Sequence, residues 1–136
     1  MKTLIVFSGP CGAGKSTLAR MEVARRRNTV LLSRDDLRSQ YPDYNEFDLT
    51  KAMIQCAAQM LNAGKNCIID ACNLHEHDWI RWETVAVICG ASLDWRTVST
   101  DMKICIARDA AREDPVGDER IRKQFATAYA IPSKSG

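Results

Sequence analysis

Histidine is nearly missing from this sequence: among 136 residues there are only two, His75 and His77. The six cysteines (Cys11, Cys56, Cys67, Cys72, Cys89 and Cys105) include no C-x-x-C pair. With no such pair and so few imidazoles, the ligand pattern of a zinc centre is excluded. Most of the cysteines lie in apolar stretches and read as buried free thiols of a reducing cytoplasm. Cys11 is the exception, and is the position where oxidation is expected to matter. No apolar run approaches the roughly 20 residues of a membrane helix, so no membrane partner is expected. The apolar run near the N-terminus is cut at Gly9-Pro10 and followed by no small-residue cleavage site. It reads as a buried strand and not as a signal peptide. Repeats, low-complexity tracts and linkers are also missing, which leaves one compact domain over residues 1–131 and a short tail over 132–136.

A strong charge of one sign is likewise missing. The net charge of +2 is too small to argue for a nucleic-acid partner by itself. Its distribution says more, because residues 1–41 carry eight Lys/Arg against three Asp/Glu. The positive excess therefore travels with the first quarter of the chain, where a polyphosphate would suit the field.

That quarter contains Gly9-Pro10-Cys11-Gly12-Ala13-Gly14-Lys15-Ser16-Thr17, a full match to the phosphate-binding pattern G-x-x-x-x-G-K-[ST]. The β-prone run Leu4-Ile5-Val6-Phe7 precedes it and a helix-forming stretch from Ser16 to Arg27 follows, the context the motif requires. Glycines let backbone N–H groups turn inward around phosphate oxygens, and the helix N-terminus adds free donors and its dipole. Residues 9–17 are thus expected to bind ATP, with Lys15 reaching the β- and γ-phosphates and the Ser16 hydroxyl ligating Mg²⁺. In this helix Leu18, Met21 and Val23 are expected to face inward, and Arg25-Arg26-Arg27 to satisfy its C-terminus.

Strands are expected at Thr29–Ser33, Asn66–Asp70 and Ala91–Ser99. Helices are expected from Asp43 to Leu61, from about His75 to Cys89, after Thr100 or Asp101, and from Asp118 to about Ala130. Phe47, Ile54 and Leu61 recur at seven-residue intervals on the first of these helices, with Met53, Ala57 and Met60 beside them. Trp79, Trp82, Val85 and Ile88 mark the next, then Ile104, Cys105, Ala107 and Ala111, and finally Ile121, Phe125 and Ala128. Strands alternating with helices predict an α/β three-layer fold around a parallel sheet.

In such a sheet the C-terminal strand ends line the ligand crevice. Asp35 and Arg38, just after the second strand, share a face of a helical turn. Asp35 then reads either as the base that accepts a hydroxyl proton or as a helix N-cap, and Asp36 as a capping or surface residue. Asp70 ends an apolar strand in the manner of a carboxylate that holds Mg²⁺, and could equally touch the acceptor or fix Arg38. Arg108 and Arg112, one helical turn apart, read either as a lid closing over ATP or as a solvated face neutralised by Asp109 and Glu113.

The loop GPCGAGKST, the segment SRDDLR, the strand end IIDACNL with its following WET, and the helix end ARDAAR occur here in that order. In this the chain resembles the kinase domain of the bacteriophage-type 5′-hydroxyl polynucleotide kinases of the P-loop phosphotransferase superfamily, over Lys2 to about Tyr129. The resemblance implies a four-stranded parallel sheet flanked by helices, with a C-terminal helical lid. It implies Lys15 and Ser16 on ATP and Mg²⁺, Asp35 as general base, and Arg38 on the phosphate of the acceptor strand. Asp70 and Asn73, from D-x-x-N-L, would belong to the acceptor site, and Arg112, with Arg108, would be the lid arginine. A 5′-hydroxyl nucleic-acid end would be the substrate, nucleic-acid repair the setting and a host cytoplasm the compartment, and homo-oligomers occur among such relatives. The D-x-D-x-T signature of a 3′-phosphatase is missing, so this chain would not trim 3′ phosphates by itself. Two other readings stand beside this one. A small-molecule kinase of the same fold is disfavoured by GKST, where nucleoside monophosphate kinases usually read GKGT. A binding module without turnover would need none of Asp35, Arg38 and Arg112.

Overall fold

The structure is a computed structural model that describes residues 2–98 and 100–128. Four strands, β1 (Thr3–Ser8), β2 (Thr29–Ser33), β3 (Asn66–Asp70) and β4 (Ser92–Thr97), form one sheet in the order β2-β3-β1-β4. All three pairings are parallel, and the register aligns Ser33 and Phe7 with Asp70. The strand ends therefore come level at one edge, as an α/β sheet with crossover helices requires.

Six helices complete the chain: α1 (Lys15–Arg25), α2 (Arg34–Gln40), α3 (Glu46–Asn62), α4 (Glu76–Cys89), α5 (Met102–Ala110) and α6 (Asp118–Ala128). Side chains alternate along the central strand, and that alternation builds two cores. Leu4 and Val6 join Met53, Ala57 and Leu61 of α3 and Trp82 and Val85 of α4 on one face. Ile5 and Phe7 meet Ala19 of α1 on the other. Each fully buried Leu, Ile or Val contributes roughly 1.5–3 kcal/mol. A third cluster joins Ala13 of the glycine loop to Cys105, Ile121 and Phe125, so α5 and α6 pack directly on that loop.

Several expected positions differ. Met21 is 62% exposed and Leu18 is 42% exposed, whereas Lys15, Ala19 and Glu22 are buried and Val23 packs inward. Burying Lys15 at the helix start sets the phase of α1, and Ala19 and Glu22 lie on its face by helical spacing. Phe47 and Ile88 lie on the solvent side of α3 and α4, and Ile104 on that of α5. The inward line of α5 is Cys105 and Asp109, not Ala107 and Ala111. Helix α3 starts later than expected: Asn45, not Asp43, caps it in a reciprocal box with Asp48. The fourth strand stops at Thr97, and the end of the last helix beyond residue 128, with the tail over 132–136, lies outside the described residues.

Buried Glu22 binds Arg26 at 2.6 Å and Arg25 at 2.7 Å, and Arg96 of β4 stands 3.3 Å away. The Arg26 hydrogen bond, opposed by burial and joined by Arg25 and Arg96, lowers its carboxyl from 4.5 to about 2. A depressed carboxyl contributes stability that is present above the ordinary value and lost as pH falls through the depressed one. Wild-type stability should therefore drop between pH 4.5 and about 2. Glu22→Gln should lose about 2 kcal/mol less over that window, after allowance for the solvated arginines. Urea unfolding of both proteins across the window checks this, and parallel curves would refute it.

Candidate active site

The glycine loop leaves β1 at Gly9 and enters α1 at Lys15. Gly12 (φ +80°) and Gly14 (φ +98°) hold the left-handed backbone that turns the loop, which side chains rarely adopt. Gly12 is constrained twice, because a Cβ there would stand 2.5 Å from the Cys105 carbonyl oxygen on α5. Gly12→Ala should destabilise the fold by about 1–3 kcal/mol through backbone strain. It should also push α5 off the loop and weaken nucleotide binding about tenfold or more. Thermal melting and titration with a non-hydrolysable ATP analogue measure the two effects, and unchanged affinity would separate α5 from the loop.

Within this loop Lys15 is buried and its Nζ donates to the Pro10 carbonyl at 2.8 Å, so the ammonium arches over the loop. Thr17 is exposed on the first turn of α1. Ser16 Oγ donates to Asp70 Oδ2 at 2.8 Å, which brings the loop hydroxyl and the β3 carboxylate together. Burial raises the Asp70 carboxyl above the ordinary range and the Asp35 charge adds to this, against the Ser16 hydrogen bond and the Lys15 charge. Two hard oxygen donors at this spacing are the chemistry Mg²⁺ takes beside phosphate oxygens, so the residues present fit that ion.

Asp35 is not an N-cap. Ser33 caps α2 by accepting from the Asp36 amide, and this frees the Asp35 carboxylate. Arg38 Nη1 donates to Asp35 Oδ1 at 3.0 Å, and Arg112 Nη2 stands 3.6 Å from Asp35 Oδ2. A carboxylate at the strand ends is thus bracketed by one arginine from its own helix and one from the end of α5. Arg38 also donates to Glu46 at 2.8 Å, and Arg34 binds the same carboxylate. Burial opposes the charge on Arg38, but Glu46 and Asp35 more than offset it and hold the guanidinium protonated. Burial likewise works against the Glu46 charge, and the two arginines overcome it and lower its carboxyl.

Arg108 does not join this cluster. Its Nη1 donates to the Gly12 carbonyl at 3.1 Å, so one of the two arginines sits on the loop and the other at Asp35. Asp109 is buried and accepts from the amides of Val116 and Gly117, and so does not neutralise Arg108. Asp70 lies against Ser16, while Arg38 is held by Asp35 and Glu46. Asn73 is buried in a left-handed conformation, donating to the Phe7 and Ala71 carbonyls and accepting from Trp82 Nε1. Both ends of its amide are engaged within the protein, so it positions the β3 exit.

Gln124 of α6 is a site residue that sequence reasoning missed. It accepts from the Cys11 amide at 2.8 Å and donates to Cys11 Sγ at 3.4 Å. Nothing in the sequence marks it, since a glutamine on an amphipathic helix reads as surface. The Cys11 thiol is lowered below the ordinary range, chiefly by its hydrogen bond with Cys72, against burial and with help from Gln124, Lys15 and Arg112. A cavity of about 490 Å³ lies between α1 and β4, lined by Phe7, Leu18, Met21 and Arg96 among others, and by none of Lys15, Asp35, Asp70 and Arg112.

The sequence matches a family model described as AAA domain over residues 4–131. No curated protein matches it. Among solved structures the chain is similar to a chain of the Pnkp1/Rnl/Hen1 RNA repair complex, with a TM-score of 0.82 at 24% identity over 95% of this chain and 44% of that one. A putative kinase from Chloroflexus aurantiacus gives a TM-score of 0.69 at 17% identity over 98% of this chain and 76% of that one. The APS kinase CysC of Mycobacterium tuberculosis, in complex with AMPPNP and APS, gives 0.59 at 16% identity over 81% and 69%. The fold is the P-loop kinase fold. The chain spans less than half the length of the repair-complex chains it matches.

Proposed function

The chain belongs to the AAA domain family, and from that premise we propose that it transfers the γ-phosphate of ATP to the 5′-hydroxyl end of a polynucleotide. The observation that carries this reading is the Asp35 carboxylate at the strand ends, with Arg38 at 3.0 Å and Arg112 at 3.6 Å. Simple nucleotide binding needs no such group, whereas activation of an acceptor hydroxyl does. The combination of SRDDLR with D-x-x-N-L, and the likeness to a chain of an RNA repair complex, support a nucleic-acid end as the acceptor.

The positions of these side chains support the following mechanism. Loop amides and Lys15 hold the phosphates of ATP, and Lys15 exchanges its Pro10 partner for a phosphate oxygen. Asp35 accepts the proton of the 5′-hydroxyl as its oxygen bonds to the γ-phosphorus and the bond from that phosphorus to the β-bridging oxygen breaks, leaving ADP. Arg38 turns from Asp35 to the acceptor phosphate, and Arg34 keeps Glu46 paired when it does. Arg112 moves from Asp35 onto the transferring phosphoryl group, where charge develops. Ser16 and Asp70 would hold Mg²⁺, which when bound neutralises charge on the β- and γ-phosphate oxygens.

A small-molecule acceptor is the second reading, supported by the likeness to the APS kinase. Transfer of labelled γ-phosphate from ATP separates the two when a single-stranded 5′-hydroxyl oligonucleotide and the matching nucleoside are offered side by side. Labelling of the oligonucleotide is the expected result. Labelling of the nucleoside alone, or of neither, would overturn the polynucleotide reading.

A further inference from the structure

Cys11 Sγ lies 3.7 Å from Cys72 Sγ, and among the described residues this is the one sulfur–sulfur contact the structure records. Both cysteines are partly exposed, whereas Cys67, Cys89 and Cys105 are buried. The two backbones are already joined, since the Gly9 amide donates to the Cys72 carbonyl at 2.9 Å. Closing a disulfide therefore asks the two sulfurs to approach by less than about 2 Å, toward a bond of about 2.05 Å.

We propose that Cys11 and Cys72 form a modification site, a dithiol that a hydroperoxide closes to a disulfide tying the glycine loop to the β3 exit. Three groups converge on Cys11 to make it the attacking sulfur. The Cys72 sulfur lies 3.7 Å away, Gln124 Nε2 donates a hydrogen bond to it, and Lys15 contributes positive charge. Such surroundings favour the thiolate, the form that reacts with peroxide. The Cys11 thiolate attacks one peroxide oxygen and the O–O bond breaks, which gives Cys11 sulfenic acid and hydroxide. The Cys72 sulfur then attacks the sulfenic sulfur, its proton leaves with the displaced hydroxide as water, and the S–S bond forms. In sum two thiols are oxidised, one hydroperoxide is reduced, and with hydrogen peroxide two waters result.

The disulfide acts on the loop that receives the nucleotide. It pins residue 11 to residue 72, two positions beyond Asp70, and leaves the Gln124 amide without its thiolate acceptor. The loop is then less able to adjust around phosphate oxygens. Oxidised protein should bind ATP about tenfold more weakly, and a thiol reductant should restore binding.

The test uses the full chain treated with hydrogen peroxide, alkylated, and mapped by peptide mass spectrometry, a readout that depends on no phosphoryl-transfer activity. Wild type should lose two hydrogens and yield one cross-linked peptide pair joining residues 11 and 72. Cys72→Ser should stop at a dimedone-trapped sulfenic acid on Cys11. Sulfenic or sulfinic acid at Cys11 of the wild type with Cys72 still free, or a cross-link between Cys56 and Cys67 instead, would overturn the site. Titration with the ATP analogue AMPPNP then compares cross-linked and reduced protein, and equal affinities would overturn its connection to nucleotide binding.

Discussion

Arg112→Ala should slow phosphoryl transfer by about 10³–10⁵-fold, the contribution of an arginine placed on a transferring phosphoryl group, while ATP affinity stays within a few-fold. Arg112 sits just past the end of α5, tethered by its amide to the Asp109 carbonyl at 3.0 Å. Its guanidinium stands 3.6 Å from Asp35 and 3.8 Å from Asp109 and is 39% exposed, so it is near the centre of the site but locked by neither carboxylate. Arg108, not Arg112, contacts the loop, which is why ground-state binding of the nucleotide should survive the substitution. Arg112→Lys should recover little, because an ammonium lacks the planar fork that spans two phosphoryl oxygens. A kcat within tenfold of wild type at saturating ATP would remove Arg112 from the chemistry.

Asp35→Asn should lower kcat by about 10²–10⁴-fold, the usual contribution of a general base. The change is isosteric at an exposed carboxylate, and Ser33 still caps α2, so stability should hold. The amide also releases the two arginines that bracket Asp35, so affinity for a phosphate-bearing acceptor should be equal or higher. A collapse in kcat with KM for the acceptor unchanged or lowered therefore marks a base. A rise in KM with kcat intact would mark a binding residue instead.

The parts of the site that read directly from the sequence are those whose chemistry is local. A glycine loop with its lysine and hydroxyl must follow a strand and open a helix, and an aspartate that ends an apolar run must emerge at the sheet edge. The strand order and the Ser16–Asp70 hydrogen bond came from the structure. What could not be read depends on which distant surfaces meet. Leu18 and Met21 looked like the inner face of α1 because they are apolar, but the loop buries Lys15 and so turns Ala19 and Glu22 inward. Glu22 did leave a trace, in Arg25 and Arg26 at helical spacing. Asn73 matched a motif, yet its amide is engaged by the Phe7 carbonyl and the Trp82 indole, partners the motif does not specify. Gln124 left no trace at all. Among the lid arginines the residue types were legible, but not that one would settle on Gly12 and the other at Asp35.

The buried Asp109 carboxylate makes the turn between α5 and α6 a closed corner. Its two oxygens accept from Val116 and Gly117, the Arg112 amide binds its carbonyl, and Glu113, Asp114 and Pro115 project into solvent. Both ends of that tip are anchored independently of its length, so it is the natural graft point of the molecule. Chain inserted at Asp114 would extend this corner outward without altering where Arg108 and Arg112 stand, and a dye attached there would report any movement of the corner when nucleotide is added.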